Sequence, residues 1–369
     1  MNTKNRKLYK KLIVYDGRSH HFHRRIAKIL GFNESVSYNY AGHVKSIKAL
    51  LSYIKLIKGL PKGYDVFLFE GRPFLVALAR FFHLIDKNTK VIVIIATQAS
   101  RWSFFKEDKE LLRYSGVGAL RANLFFYFRK FLYRYIDGFI CVAGLEAEAI
   151  KKIVPKANVV IVWPQSSESF QKIAIKYRGL QPKLNSHNLI EIVGRPDSKN
   201  IVNKGEMGVD LTIRAFNKVK REYPDSKLTL INVPKSNTLN FDLTGIRFTG
   251  KISDMQLVKE FKKSTLCVHP DRGAGGIGVL DSMSCGVPAL ISNYSHTKPF
   301  VEQVSKELIV PLNEDLVAEG ISKYFSLDEK RRLKLSRQAI KIAIKANKLG
   351  TESLKKDFDR MLNSIGKNR

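Results

Sequence analysis

The sequence predicts an α/β protein built from two successive doubly wound halves, and three observations carry that prediction. Short β-branched runs alternate with amphipathic helical stretches, the pattern of parallel strands covered on both faces by helices. The chain has 369 residues, more than one compact core usually organises and suited to two. A polar stretch, Gly179–Asn188 (GLQPKLNSHN), interrupts the alternation midway, and the pattern then begins again. The expected organisation is an N-terminal domain over 1–180, a second over 181–345, and a C-terminal helix over 346–369 that packs back on the first.

Each element has a local reason. Lys11–Tyr15 (KLIVY) reads as the first strand, closed by Asp16-Gly17 and followed by a helical segment through Leu30. Asp65–Phe69 is a second strand, with a helix over Phe74–Phe82. Val91–Ala96 (VIVIIA) is a continuous apolar run, as a strand buried on both faces requires. Phe139–Ala143 and Val159–Trp163 complete the first half. In the second half, strands are expected at Leu189–Val193, Lys227–Asn232, Thr265–His269 and Ala289–Ser292. Helices are expected at Val209–Tyr223, Ser253–Lys263 and Gly278–Cys285, and the segment from Leu327 onward is helical and charged. Ligands of such sheets bind at the carboxyl ends of the strands.

Composition narrows the function classes. A net charge of +31 attracts nucleic acid, anionic lipid or phosphorylated substrates. Met1–Gly63 alone carries fourteen Lys or Arg against Asp16 and Glu34. No motif of the known nucleic-acid readers is present, so no nucleic-acid partner is expected. No apolar run reaches the roughly 18 residues of a membrane span, and the run near the start is too short for a secretory signal. A cytoplasmic protein is expected, with the inner face of the cell membrane as a place of peripheral attachment. Cys141, Cys267 and Cys285 sit apart in apolar runs and read as buried, reduced thiols. His20, His21 and His23 lack ligand spacing, so no metal is expected.

The segment with most chemical content is His269–Asn293, HPDRGAGGIGVLDSMSCGVPALISN. A strand ends at His269-Pro270, a glycine-rich turn spans Gly273–Gly278, and a helix opens with Asp281 in its first turns. Without Cβ atoms the turn lets a ligand approach the backbone, and the helix start favours an anion such as phosphate. Asp281 is placed to accept hydrogen bonds from ribose hydroxyls. A tight turn without a ligand is the plain alternative.

This segment resembles the signature of retaining GT-B glycosyltransferases of family 4, the group 1 glycosyl transferases. That signature reads Pro-Ser-x-x-Glu-Gly-Phe-Gly, four further residues, Glu-Ala-Met, and then Cys-Gly-x-Pro-Val. Pro270, Gly276, Met283, Cys285, Gly286 and Pro288 fall on matching positions, and Asp281 replaces the glutamate that binds ribose in the family. The glutamate that touches the donor sugar is replaced by Gly273, with Asp271 close by to substitute for it. Upstream, Ile192–Phe216 (IVGRPDSKNIVNKGEMGVDLTIRAF) is similar to the family's Val-Gly-Arg, loop, Lys-Gly-Val-Asp pattern, with a longer loop here. The resemblance implies a GT-B fold of two facing Rossmann-like domains with a cleft between them, the first binding acceptor and the second a nucleotide sugar. It implies that Arg195 and Lys204 neutralise the donor diphosphate, where fixed cations stabilise the departing charge. Gly194, Gly275, Gly276 and Ile277 would meet the donor, which serves as co-substrate, and no cofactor is expected.

In the first half the family's histidine after the third strand is replaced by Ala96-Thr97-Gln98. Thr97 and Gln98 are candidates to orient the acceptor, and a helix N-cap is the alternative for Thr97. The acceptor class the resemblance suggests is a saccharide, free or linked to polyprenyl phosphate. Two segments suggest contact with an anionic membrane. His43–Gly63 places Ile47, Leu50, Leu51, Ile54 and Ile57 on one helical face and lysines on another. Leu124–Ile136 (LFFYFRKFLYRYI) interleaves aromatic and basic residues, as a membrane-dipping helix, a stacking platform or a core-packed helix would. Two rivals to the transferase remain from other classes. One is a non-catalytic sugar-nucleotide or glycan-binding homologue, motivated by Gly273; the other is a nucleic-acid binder, motivated by charge alone.

Overall fold

The computed structural model describes residues 9–16, 21–38, 47–96, 127–177, 183, 185–193, 208–233, 241–271 and 276–365. The chain divides into two compact units, one of Met1–Val162 with Thr351–Arg369 and one of Trp163–Gly350.

Unit 1 holds six strands: β1 (Lys11–Asp16), β2 (Glu34–Tyr38), β3 (Val66–Glu70), β4 (Lys90–Ile95), β5 (Gly138–Val142) and β6 (Val159–Val162). They form one wholly parallel sheet in the order β2-β1-β3-β4-β5-β6. The central strands β3 (VFLFE) and β5 (GFICV) are buried along their whole length, which is why their sequences read as unbroken apolar runs. One face is covered by α2 (Ile47–Lys58), α3 (Pro73–Phe81) and α4 (Gly144–Ile153), whose Tyr53, Ile57, Val76 and Ile150 are buried with Phe67, Val93 and Phe139. The other face buries Ile13, Leu68, Ile92 and Ile140 against Ile26 of α1 (His21–Ile29) and against residues far along the chain. These are Leu354, Phe358, Met361, Leu362 and Ile365.

Unit 2 begins at Trp163. Its strands are β7 (Asn188–Ile192), β8 (Lys227–Ile231), β9 (Ile246–Thr249), β10 (Leu266–His269), β11 (Ala289–Ser292) and β12 (Ile309–Val310). Their order is β12-β11-β10-β7-β8-β9, again all parallel. The strand order therefore reverses between β7 and β10, the place where doubly wound sheets open a crevice at their carboxyl edge. Around the sheet lie α5 (Glu168–Lys176), α6 (Val209–Glu222), α7 (Asp254–Lys262), α8 (Ile277–Ser284), the short α9 (Lys298–Val301) and α10 (Glu314–Phe325). Capping sets several of the starts. Ser253 and Gln256 close a capping box at α7, Ser167 caps α5, and Asn313 caps α10. The final helix, α11 (Glu329–Ile365), buries Leu335, Ala339, Ile342 and Ala346 in the second core before contributing its later residues to unit 1.

The three cysteines are free and buried, as expected. Burial pushes the Cys267 and Cys285 thiols up to about 12, so neither is a nucleophile near neutral pH. In α2, Tyr53 and Ile57 are buried in the core, while on the apolar face read from His43–Gly63 Ile54 is half-buried and Leu51 is 58% exposed; the side chains of Ile47 and Leu50 lie outside the described residues.

Candidate active site

At the carboxyl edge of the second sheet, β10 ends in His269-Pro270-Asp271 beside the end of β7. Asp271 donates its N–H to the His269 carbonyl at 2.8 Å, and the Ser292 hydroxyl at the end of β11 donates to the Asp271 carbonyl. Ser292 Oγ in turn accepts from the Tyr294 N–H at 3.1 Å, so the turns after β10 and β11 are locked together. At the end of β8, Asn232 sits in the left-handed region (φ 62°) and its amide donates to the Val193 carbonyl at 2.8 Å. That bond fixes the exit of β7, from which the segment expected to carry Arg195 departs.

Two helices start at this edge, each on a glycine. Gly208 precedes α6 with φ 76°, and a Cβ there would stand 2.6 Å from the Pro270 carbonyl carbon. No other residue fits both the conformation and the space. Gly276 precedes α8 with φ 123°, and its missing Cβ would meet Thr297 Cγ2 at 2.9 Å and Pro164 Cγ at 3.3 Å. The start of α6 therefore closes on the end of β10, while the start of α8 packs against Thr297 and Pro164. Each helix start carries backbone N–H groups without an intrahelical partner and a positive dipole end.

Asp281 lies on α8 and is 8% exposed. Burial pushes its carboxyl up to about 7; the Ser166 hydroxyl opposes this and the Asp254 charge adds to it. Its Oδ1 has no hydrogen-bond partner among the described residues. A buried carboxyl with an open acceptor is costly for the fold, and perturbed groups of this kind gather where ligands bind. Ser166 itself is held by its N–H to Asn347 Oδ1 at 2.9 Å.

Beneath the edge lies a group of buried charges. His269 Nδ1 is 3.7 Å from Glu191 Oε1, and His269 Nε2 is 3.6 Å from Asp271 Oδ2. Glu191 projects from the middle of β7 and is wholly buried. Loss of water pushes its carboxyl up to about 6, with His269 and Thr212 holding it down and Asp210 pushing it further. Burial alone would lower the His269 imidazole, but Glu191 and Asp271 outweigh burial and the net direction is up. Asp210 on α6 pairs with Arg214 at 3.1 Å.

The structure thus brings Asp271, Gly276, Ile277 and Asp281 to one edge of one sheet. Asp271 is fully buried, with its carboxylate toward His269. Thr97, Gln98, Gly194, Arg195, Lys204, Gly273 and Gly275 lie outside the described residues. The sequence analysis did not select Glu191, His269, Gly208 or Ser166. A signal existed for the first two: a lone carboxylate inside the apolar run LIEIV, and a histidine closing the apolar strand LCVH. Among the described residues, no group of three or more His, Cys, Asp or Glu is arranged to hold a metal ion.

Two parallel six-stranded sheets with helices on both faces, and a glycine-started helix pair at the second sheet's switch point, define a GT-B protein. Residues 202–342 match the family model for glycosyl transferases group 1, and the chain is a glycosyltransferase carrying that domain. The fold is similar over almost the whole chain to sucrose-phosphate synthase from Thermosynechococcus elongatus. That pair has a TM-score of 0.68 at 12% identity, covering 98% of this chain and 100% of that one. It is similar to the UDP-forming α,α-trehalose-phosphate synthase of Burkholderia vietnamiensis, with a TM-score of 0.68, 11% identity and coverage of 98% and 99%. HepE of Anabaena, solved in complex with UDP and glucose, aligns with a TM-score of 0.60, 13% identity and coverage of 97% and 100%. No curated protein matches the sequence.

Proposed function

We propose that this glycosyltransferase moves a sugar, with retention at the anomeric carbon, from a nucleotide diphosphate sugar to a saccharide or polyprenyl-phosphate-linked acceptor. Unit 2 is read as the donor domain and unit 1 as the acceptor domain. The observation that carries the reading is Asp281. It is a buried carboxyl with an open oxygen, on the helix that starts from Gly276, in a domain matched by the group 1 family. Its position suits the ribose hydroxyls, while the starts of α6 and α8 suit the diphosphate. Arg195 and Lys204 supply the cations against which the leaving diphosphate gathers charge, and Gly194, Gly275, Gly276 and Ile277 supply close backbone. Thr97 and Gln98 orient the acceptor. Asp271, buried against His269, is the residue read as substituting for the family's donor-sugar carboxylate, whose position is taken by Gly273. No cofactor is needed, because the donor carries its own activated bond. The site of work is an anionic membrane surface facing the cytoplasm, in keeping with the cationic chain, and the product belongs to polysaccharide biosynthesis.

The test is mass spectrometry of the nucleoside diphosphate released from a panel of nucleotide sugars, with and without saccharide acceptors. Release from one donor, lost in Arg195→Ala, is the expected result. Gly273 favours one other reading, a homologue that binds nucleotide sugars without turning them over. Tight donor binding with no diphosphate release from any member of the panel would establish that reading and sink transfer.

A further inference from the structure

The described residues of unit 1 expose a concentrated aromatic face. Ten large hydrophobic side chains stand exposed in the described residues, and every aromatic one among them is in two segments, Phe82 and Tyr127, Phe128, Phe131 and Tyr135. Their exposures run from 36% to 61%. Four of the five pack against neighbouring rings. Phe81 makes edge contacts with Phe82 (5.0 Å), Phe131 (5.7 Å) and Tyr135 (5.2 Å), Phe131 meets Tyr135 at 6.0 Å, and Phe74 meets Phe128 at 5.5 Å. The face is the end of α3, with the helical stretch 127–132 and the turn Tyr133–Tyr135 packed beside it. A contiguous exposed apolar patch of this kind marks an interaction surface.

Charge selects the partner. The 127–136 stretch carries Arg129, Lys130 and the exposed Arg134 and no acid, and the exposed His83 follows Phe82, while Arg80 is buried and donates to the Asp86 and Lys87 carbonyls. The nearest acids along the chain are Asp137, which accepts from the Val91 N–H at 2.8 Å and lies 3.8 Å from Arg80, and the exposed Asp86, which accepts from the Asn88 N–H at 2.8 Å, so cations still outnumber acids at this face. Aromatic rings with tyrosine hydroxyls, set among cations, match the interfacial layer of an anionic bilayer, which takes rings at headgroup depth and attracts each nearby Lys or Arg. No described helix is long and apolar enough to cross a membrane, so a shallow seat is the form such contact takes.

We propose that the aromatic face of Phe82, Tyr127, Phe128, Phe131 and Tyr135 is the surface through which this protein docks on anionic membrane. The proposal rests on the membrane association put forward above and moves its principal contact from α2 to this face. Tyr53 and Ile57 of α2 are committed to the core, whereas these rings are not.

The experiment is sedimentation of the full chain with vesicles of phosphatidylglycerol and phosphatidylethanolamine, against phosphatidylcholine alone. It compares the parent with Phe82→Ser/Phe128→Ser/Phe131→Ser and with Lys45→Gln/Lys48→Gln/Lys55→Gln/Lys58→Gln. The parent is expected to bind the anionic vesicles. The aromatic variant should bind at least tenfold more weakly, and the lysine variant should lose less. The substituted rings are exposed, so melting temperature and release of nucleoside diphosphate should match the parent and certify the fold. A parent that ignores anionic vesicles would overturn membrane association itself. A parent that binds while the aromatic variant binds equally would overturn this face alone, and so would a parent dimer that the variant converts to monomer with vesicle binding unchanged. If the variant fails to fold, Tyr127→Ser/Tyr135→Ser is the replacement, with the same outcomes.

Discussion

At the scale of single residues, carboxyls that burial keeps neutral set how the fold responds to pH. Asp281 has its carboxyl raised from 3.8 to about 7, and Glu191 from 4.5 to about 6, both chiefly by burial. Between roughly pH 4 and 7 the folded protein holds protons on these groups that the unfolded chain has released, so stability falls as pH rises through that window. His269, raised by Glu191 and Asp271 against burial, acts in the same direction, since its favourable charge is lost as pH climbs past its folded value. Asp281→Asn should therefore melt higher than the parent above pH 7, by an amount on the order of a few kcal/mol. The gain should shrink to nothing near pH 4. Thermal melts across pH 4–8 check this, and an unchanged difference at both ends would exclude burial of the charge as the cause. If Asp281 holds the ribose as proposed, the same variant should bind nucleoside diphosphate more weakly by calorimetry, because an amide would offer the ribose one acceptor and a misplaced donor. The Glu191–His269 pair makes a separate prediction. Removing one partner, as in His269→Ala, should cost about 3–5 kcal/mol by leaving a buried carboxylate alone, while Glu191→Leu/His269→Phe should recover most of it. Denaturant titration distinguishes these outcomes.

Among the elements, the junctions that start helices carry the constraint. Gly208→Ala combines a left-handed backbone with a Cβ driven into the Pro270 carbonyl, so both the start of α6 and the end of β10 must move. A loss of several kcal/mol is expected, together with loss of nucleotide binding. If Gly208→Ala left the melting temperature within a degree of the parent, the closure of α6 on β10 would be wrong. Such junctions also explain how much of the molecule was legible. The strands β3, β4 and β5 announced themselves because burial on both faces demands nearly continuous apolar runs, β7 and β10 did so although Glu191 interrupts the one and His269 ends the other, and the glycine-rich start of α8 because only glycine serves there. Strands β2 (ESVSY), β9 (IRFT) and β12 (two residues) are sheet edges, partly exposed or very short, and leave little apolar signature. The Glu191–His269 pair was hidden for a different reason. A carboxylate in LIEIV does not reveal which strand will lie beside it, and β10 reaches that place only through the reversal of strand order.

Over the whole molecule, the consequential feature is α11, whose later residues finish unit 1. Phe358 and Leu362 are buried against the sheet face formed by Ile13, Leu68, Ile92 and Ile140. Phe358→Ala should cost about 3–5 kcal/mol and appear as faster amide exchange in β1, β3 and β4, with the strands of unit 2 unaffected. Equal acceleration in both sheets would refute the assignment of that residue to unit 1. This arrangement has a consequence for the ribosome. The strands of unit 1 are made first, yet one side of their sheet is covered only by α1 until the whole of unit 2 has been synthesised and the segment after Gly350 emerges. Unit 2 is contiguous in the chain and can complete itself as soon as it is out. The half of the protein that is born first is thus the last to mature, and through that interval it exposes part of an apolar sheet face that holdase chaperones are suited to shield.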